Sequence, residues 1–160
     1  MVSSKKIWIE LSAIPDPEIP VISIVELGVL RRVKFINKEL QITITPTYSG
    51  CPAMNQIEND IEKKLKELGI DKYKINLQYH PAWTTDWMTE KAKNKLLEYG
   101  ISPPDKSVDK ANLLGEGKKT LCPKCKSRDT KMVSQFGSTA CKALYQCNEC
   151  MEPYDYFKCI

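Results

Sequence analysis

Two Cys-x2-Cys pairs constrain this chain more than any other feature: Cys122-Pro123-Lys124-Cys125 and Cys147-Asn148-Glu149-Cys150, with 21 residues between them. A pair at that spacing turns tightly enough for both sulfurs to reach one ion. Two pairs complete a tetrahedron of thiolates. The stretch between them is long enough for a β-hairpin, as in a zinc ribbon. So short a segment cannot fold on apolar burial alone, and a bound ion would supply much of its stability. Zinc is the default ion, and iron in a rubredoxin-like site is the alternative, since four sulfurs suit both. All four positions would be filled by protein, so the expected role is structural rather than hydrolytic.

The chain has seven cysteines, one at position 51 and six between 122 and 159. An odd, lopsided count does not fit a disulfide framework. In a reducing compartment it reads as metal ligands or reactive thiols. Cys141 and Cys159 fall outside the two pairs. Either each is a small buried hydrophobe, or one or both join Cys51 in a second metal or cluster site.

The chain carries a formal charge of +4. Residues 1–104 hold 14 basic and 13 acidic side chains, and residues 105–160 hold 10 and 7. Four thiolates around a divalent ion would nearly cancel the excess in the second part, so the electrostatic case for nucleic acid is weak. No apolar run approaches the roughly 20 residues that span a bilayer. Met1 to Leu11 has two lysines but no apolar core and no small-residue cleavage site, so the expected location is cytoplasmic.

Hydrophobic spacing gives the elements. Ile7, Trp8 and Leu11 share a face of a short helix over 4–13. Pro15-Asp16-Pro17-Glu18-Ile19-Pro20 is a rigid loop, because each proline fixes φ and removes a donor. Ser23 to Gly28 forms a second short element. Strands are expected at 30–36 and 40–45, joined by a tight turn at Asn37-Lys38. Met54, Ile57, Ile61, Leu65 and Leu68 repeat at helical spacing, with Pro52 in the first turn and Gly69 as the stop. Tyr73, Ile75, Leu77 and Tyr79 alternate as a third strand. Asp86 is the expected N-cap of a last helix with the stripe Met88, Ala92, Leu96 and Tyr99. Residues 102–119, with their prolines, glycines and charges, are the expected linker. The domains are thus 1–101, α/β with a small mixed sheet, and 120–160, a β-rich zinc ribbon.

Cys51 falls at or near the N-cap of the second helix, where the helix dipole and unpaired N–H groups favour a thiolate. Such a sulfur could attack an electrophile or hold a soft metal; the alternative is a capping or packing role. Nucleophilic catalysis needs a base, and nothing in the sequence brings the one histidine, His80, to Cys51. Asp16 and Glu18 read either as a carboxylate pair or as acceptors that fix their loop. Trp83 and Trp87 read as core or interface.

Asp16-Pro17-Glu18-Ile19, Ser23 to Gly28 and Thr45 to Pro52 resemble the iron–sulfur assembly domain of SufT-type proteins. Thr47 to Met54, Pro81 to Trp87, Phe136 to Lys142 and Glu152 to Cys159 narrow the likeness. They resemble the PaaD (PaaJ) family, D components of bacterial phenylacetyl-CoA epoxidase (ring 1,2-monooxygenase) systems. The resemblance covers nearly the whole chain and implies a compact α/β layer. It also implies an accessory role in assembling a metal centre, not catalysis by the chain itself, with Cys51 as the reactive residue. Asp16, Glu18, Cys141 and Cys159 are further candidates for the transfer site. The implied partners are a diiron oxygenase subunit and a reductase with flavin and an iron–sulfur cluster. The implied cofactors are structural zinc and a transient iron–sulfur cluster. A cluster bridged by Cys51 of two chains would need a homodimer. The alternative function is a structural subunit of the oxygenase complex without metal transfer.

Overall fold

Leu40, Ile42 and Ile44 alternate with polar neighbours, and in the computed structural model, which describes residues 2–104 and 118–158, all three are fully buried. They lie on strand β2 (Glu39–Ile44), the centre of a three-stranded sheet. Strand β1 (Leu30–Ile36) pairs with it antiparallel, from Leu30↔Ile44 to Ile36↔Glu39. Asn37 and Lys38 form the two-residue turn with φ of 49° and 65°. Positive φ at both positions gives the twist that suits a tight hairpin. Strand β3 (Tyr73–Leu77) runs parallel to β2, with Ile42 opposite Ile75. Tyr79, expected on this strand, lies beyond it and is exposed.

A parallel neighbour needs a crossover, and helix α2 (Ala53–Glu67) supplies it, burying Met54, Ile57, Ile61 and Leu65. Its end is a Schellman motif: Ile70 N–H donates to Leu65 O and Gly69 N–H to Lys66 O, with Gly69 at φ 69°. Helix α1 (Ser4–Leu11), capped by Ser3 Oγ, buries Ile7 and Leu11 and packs on β1 and α2, while Trp8 is half-buried.

The proline loop exposes Pro15, Pro17 and Pro20 but is anchored by buried side chains. Ile14, Ile19, Ile22 and Ile24 are inside, and Asp16 N–H donates to Ile22 O. Ser23 and Glu26 satisfy each other's backbone amides, at 3.2 and 3.0 Å, as in a capping box. The last helix departs from expectation. Thr84, not Asp86, is the cap: its Oγ1 accepts from Asp86 N–H and starts a 3-10 turn, Thr85–Trp87. Met88 is extended, so helix α3 begins only at Glu90 (Glu90–Tyr99). Ala92 and Leu96 of the expected stripe are buried, while Tyr99 is exposed.

The chain divides into two compact units, Met1–Thr89 and Glu90–Ile160. The division by packing falls ahead of the boundary expected at residue 101. Helix α3 and the two-residue strand β4 (Ile101–Ser102) group with the second unit, because β4 pairs parallel with strand β7 (Pro153–Phe157). Strands β5 (Thr130–Ser134) and β6 (Lys142–Cys147) form the hairpin expected between the cysteine pairs, and β7 adds to β6. The order is β4-β7-β6-β5. Most of the expected linker, at 105–117, lies outside the described residues, as does Cys159. Among the described residues no helix is long and apolar enough to cross a membrane.

Candidate metal centre and thiol site

The second unit brings Cys122, Cys125, Cys147 and Cys150 together, with all four sulfurs within 4.8 Å of one another. Cys122 and Cys150 sulfurs are 3.7 Å apart, and those of Cys125 and Cys147 are 3.5 Å apart. Four sulfurs about 2.3 Å from one tetrahedral ion would stand roughly 3.8 Å apart. The donor set therefore fits a thiolate-bound ion such as zinc. Two similar knuckles build it. Cys122 N–H donates to Ser127 O at 2.9 Å, and Cys147 N–H donates to Glu152 O at 3.0 Å, each five residues on. The residue after each second cysteine, Lys126 or Met151, takes a left-handed φ of 65° or 61°. Lys124 Nζ reaches Glu152 at 2.8 Å, tying the first knuckle to the end of the second.

Backbone amides point at the sulfurs. The Cys147 thiol is lowered to about 7, first by the Cys150 amide, then by that of Glu149 and by the Cys125 and Cys150 sulfurs, against burial. At Cys125 the Ser127 amide lowers the thiol, but partial desolvation by its neighbours and the three other sulfurs together push it up to about 12. One sulfur of the group ionises readily and the next does so against its charge, an imbalance that a divalent cation removes. Cys122 and Cys147 pack into a core with Ala143, Tyr145, Tyr154 and Tyr156. Tyr145 meets Tyr156 edge-on at 5.4 Å, and Tyr154 Oη bonds Thr120 Oγ1 at 2.7 Å. Bound zinc would close this site with four thiolates and leave no position for substrate.

Cys51 lies in the first unit, half-buried, between β2 and α2. Gly50, at φ 78°, completes a turn in which Cys51 N–H donates to Tyr48 O at 3.3 Å. Pro52, already helical, occupies the cap position without a side-chain bond, so Cys51 stands one residue ahead of it. Burial is the largest influence on the thiol and raises it above its ordinary value. The Ala53 amide opposes this, the Glu18 charge adds to it, and Tyr48 and Thr47 side chains lower it slightly. The net shift is upward, against the thiolate expected from the helix terminus alone.

Of the two loop carboxylates, Glu18 acts on Cys51. Asp16 fixes the loop: its Oδ1 accepts from Glu18 N–H at 2.9 Å and Ile19 N–H at 2.8 Å. Thr47 and Tyr48 were legible only as part of the motif around Cys51. His80 is exposed and is not among the groups that influence the Cys51 thiol. Trp83 is core, its Nε1 donating to Leu27 O at 2.9 Å, and Trp87 lies under the Arg31 guanidinium at 3.6 Å. Cys141, in the second unit, is buried beside Thr139 Oγ1 at 3.0 Å.

Comparison with known proteins follows the same division. A family model described as the PaaD zinc beta ribbon domain matches residues 106–158, and one described as iron-sulfur cluster assembly protein matches 4–75. The putative D component of the 1,2-phenylacetyl-CoA epoxidase of Escherichia coli K12 is 50% identical over 97% of this chain and 92% of its own length. The chain belongs to the PaaD family. Its first part has further relatives. An Fe-S protein maturation auxiliary factor of Porphyromonas gingivalis is 35% identical over 57% of this PaaD-family chain and 85% of its own length. The auxiliary factor SufT of Staphylococcus aureus is 34% identical over 49% of this chain and 90% of its own. A solved domain of unknown function from Bacillus anthracis superposes with a TM-score of 0.53 at 32% identity, covering 58% of this chain and 90% of that one. The PaaD family thus joins a metal-binding ribbon to a fold shared with maturation factors.

Proposed function

We propose that this chain assists assembly of the iron–sulfur or diiron centre of a phenylacetyl-CoA epoxidase, acting through Cys51. The observation that carries the reading is the placement of a half-buried cysteine against the uncapped start of α2, in a unit shared with iron–sulfur maturation factors. The relation to an epoxidase D component supplies the client system. Iron or a cluster is cargo in this scheme. The Cys51 sulfur gives up its proton to take the incoming iron, the Ala53 amide steadies the thiolate, and Glu18 holds compensating negative charge beside the cation. A cluster would need further thiolates, which a second copy of Cys51 in a homodimer provides. The ribbon holds zinc as a structural ion, and the protein works in the cytoplasm with the oxygenase or reductase subunit.

The test is to isolate the oxygenase and reductase subunits from cells carrying wild-type chain or Cys51→Ser. The proposal expects iron-poor client subunits and lost epoxidase activity with the variant, while its zinc content and fold persist. Fully metallated client subunits from the Cys51→Ser cells would overturn it. A second reading, a structural subunit without metal transfer, is favoured by one feature: Met132, Val133 and Phe136 are exposed on and beside edge strand β5. Stable co-purification at fixed stoichiometry, unchanged by Cys51→Ser, would support that reading.

A further inference from the structure

We propose that the four-cysteine centre is a peroxide-responsive switch in which Cys125 is oxidised first, Cys147 resolves it, and the ion is released. The inference rests on the reading that the centre holds zinc through thiolates. Access to the four sulfurs is unequal. Cys122 and Cys147 are 0% exposed and Cys150 is half-buried, whereas Cys125 is exposed. Among the described cysteines of the whole chain, Cys125 alone is exposed, since Cys51 is half-buried and Cys141 buried. Oxidation of a thiolate follows exposure and thiolate character, and coordination keeps a ligand sulfur deprotonated. The resolving sulfur is in place, because Cys147 Sγ lies 3.5 Å from Cys125 Sγ.

The steps balance with hydrogen peroxide as the oxidant. The Cys125 thiolate attacks one peroxide oxygen. The O–O bond breaks, an S–O bond forms, and the departing hydroxide takes a proton to become water. The sulfur loses two electrons and the peroxide gains them, leaving a sulfenic acid. The Cys147 thiolate then attacks the Cys125 sulfur. An S–S bond forms, the S–O bond breaks, and a second hydroxide leaves and is protonated. Only Cys122 and Cys150 would then remain to hold an ion, too few to retain it. Reduction by a dithiol, which is itself oxidised to a disulfide, restores the thiolates for reloading.

The disulfide ties the first knuckle to the end of β6 and removes the ion that joins both knuckles. The ribbon would therefore report oxidative conditions by changing the surface it presents. The test uses the full chain, assayed first for zinc and then treated with hydrogen peroxide in the presence of a chromophoric chelator. Free thiols are trapped by alkylation and the paired sulfurs identified by mass spectrometry. The expected result is release of the zinc together with a Cys125–Cys147 disulfide, reversed by dithiothreitol and zinc. Cys125→His keeps a four-ligand site of a kind zinc accepts, and should form no disulfide at Cys147 and release its ion more slowly, because the exposed thiolate is gone. A chain that binds no zinc at the outset overturns the zinc reading and the switch with it. A zinc-loaded chain that keeps its ion under excess peroxide, or oxidises Cys51 before Cys125, overturns the switch alone.

Discussion

At the scale of single residues, opposing local forces set the chemistry of Cys51. Burial and the Glu18 charge raise the thiol, and the Ala53 amide and the Thr47 and Tyr48 side chains lower it, with the upward influences prevailing. A raised value means a protonated sulfur at neutral pH, with reactivity that climbs as pH rises through the shifted value. Iodoacetamide should therefore label Cys51 more slowly than a free cysteine at neutral pH. Glu18→Gln removes the nearby negative charge and should speed labelling, which mass spectrometry of the modified peptide would read. The sequence placed Cys51 at or near the N-cap of α2, and it lies one residue ahead of that cap. The Glu18 influence spans two loops far apart in sequence, so spacing alone did not show it; only the family resemblance put Glu18 among the candidates for the Cys51 site. Trp83 tells a similar story. Its type pointed to the core or an interface, but its partner, the Leu27 carbonyl, belongs to another segment. Trp83→Phe leaves that carbonyl buried without its donor and should cost about 1–3 kcal/mol in urea denaturation.

At the scale of elements, legibility followed locality. The Asn37-Lys38 hairpin, the α2 stripe and its Gly69 stop are each encoded within a few consecutive residues, and each formed as read. The 3-10 turn at Thr85–Trp87 was missed because its surroundings are not local. Thr89 N–H donates to Glu26 O, and Trp87 packs against Gly28. A Cβ at position 28 would stand 2.7 Å from Trp87 Cβ and 2.9 Å from its carbonyl oxygen, on a backbone at φ 84°. Gly28→Ala should thus lose more than about 1 kcal/mol of stability. The change should also alter Trp87 packing, seen as a shifted near-ultraviolet circular dichroism band. Strand β7 lay beyond the paired cysteines and had no turn signal to announce it, although its alternating Tyr154 and Tyr156 are buried.

At the scale of the whole molecule, two stabilising strategies stand in one chain. The first unit carries the broad apolar core of α1, α2 and the sheet, whereas the second gathers a small aromatic cluster around four sulfurs. Sequence separated the two by their cysteine content, but the pairing of β4 with β7, across a long stretch of chain, set where packing divides them. If zinc holds the second unit, stripping it with a strong chelator should melt β5–β7 and leave the first unit folded. The three tryptophans, Trp8, Trp83 and Trp87, all lie in the first unit. Their emission should stay unchanged while amide protection in β5–β7 disappears, and parallel loss of both signals would contradict independent stabilisation.

The central claim, that Cys51 handles iron while the four paired cysteines hold a structural ion, meets its most direct test in metal and sulfide analysis. Wild-type chain and Cys51→Ser would be prepared anaerobically and reconstituted with ferrous iron and sulfide. The account predicts zinc in both proteins, with iron bound only to the wild type. Zinc alone in both, with no iron taken up, would contradict it and leave Cys51 without a metal role.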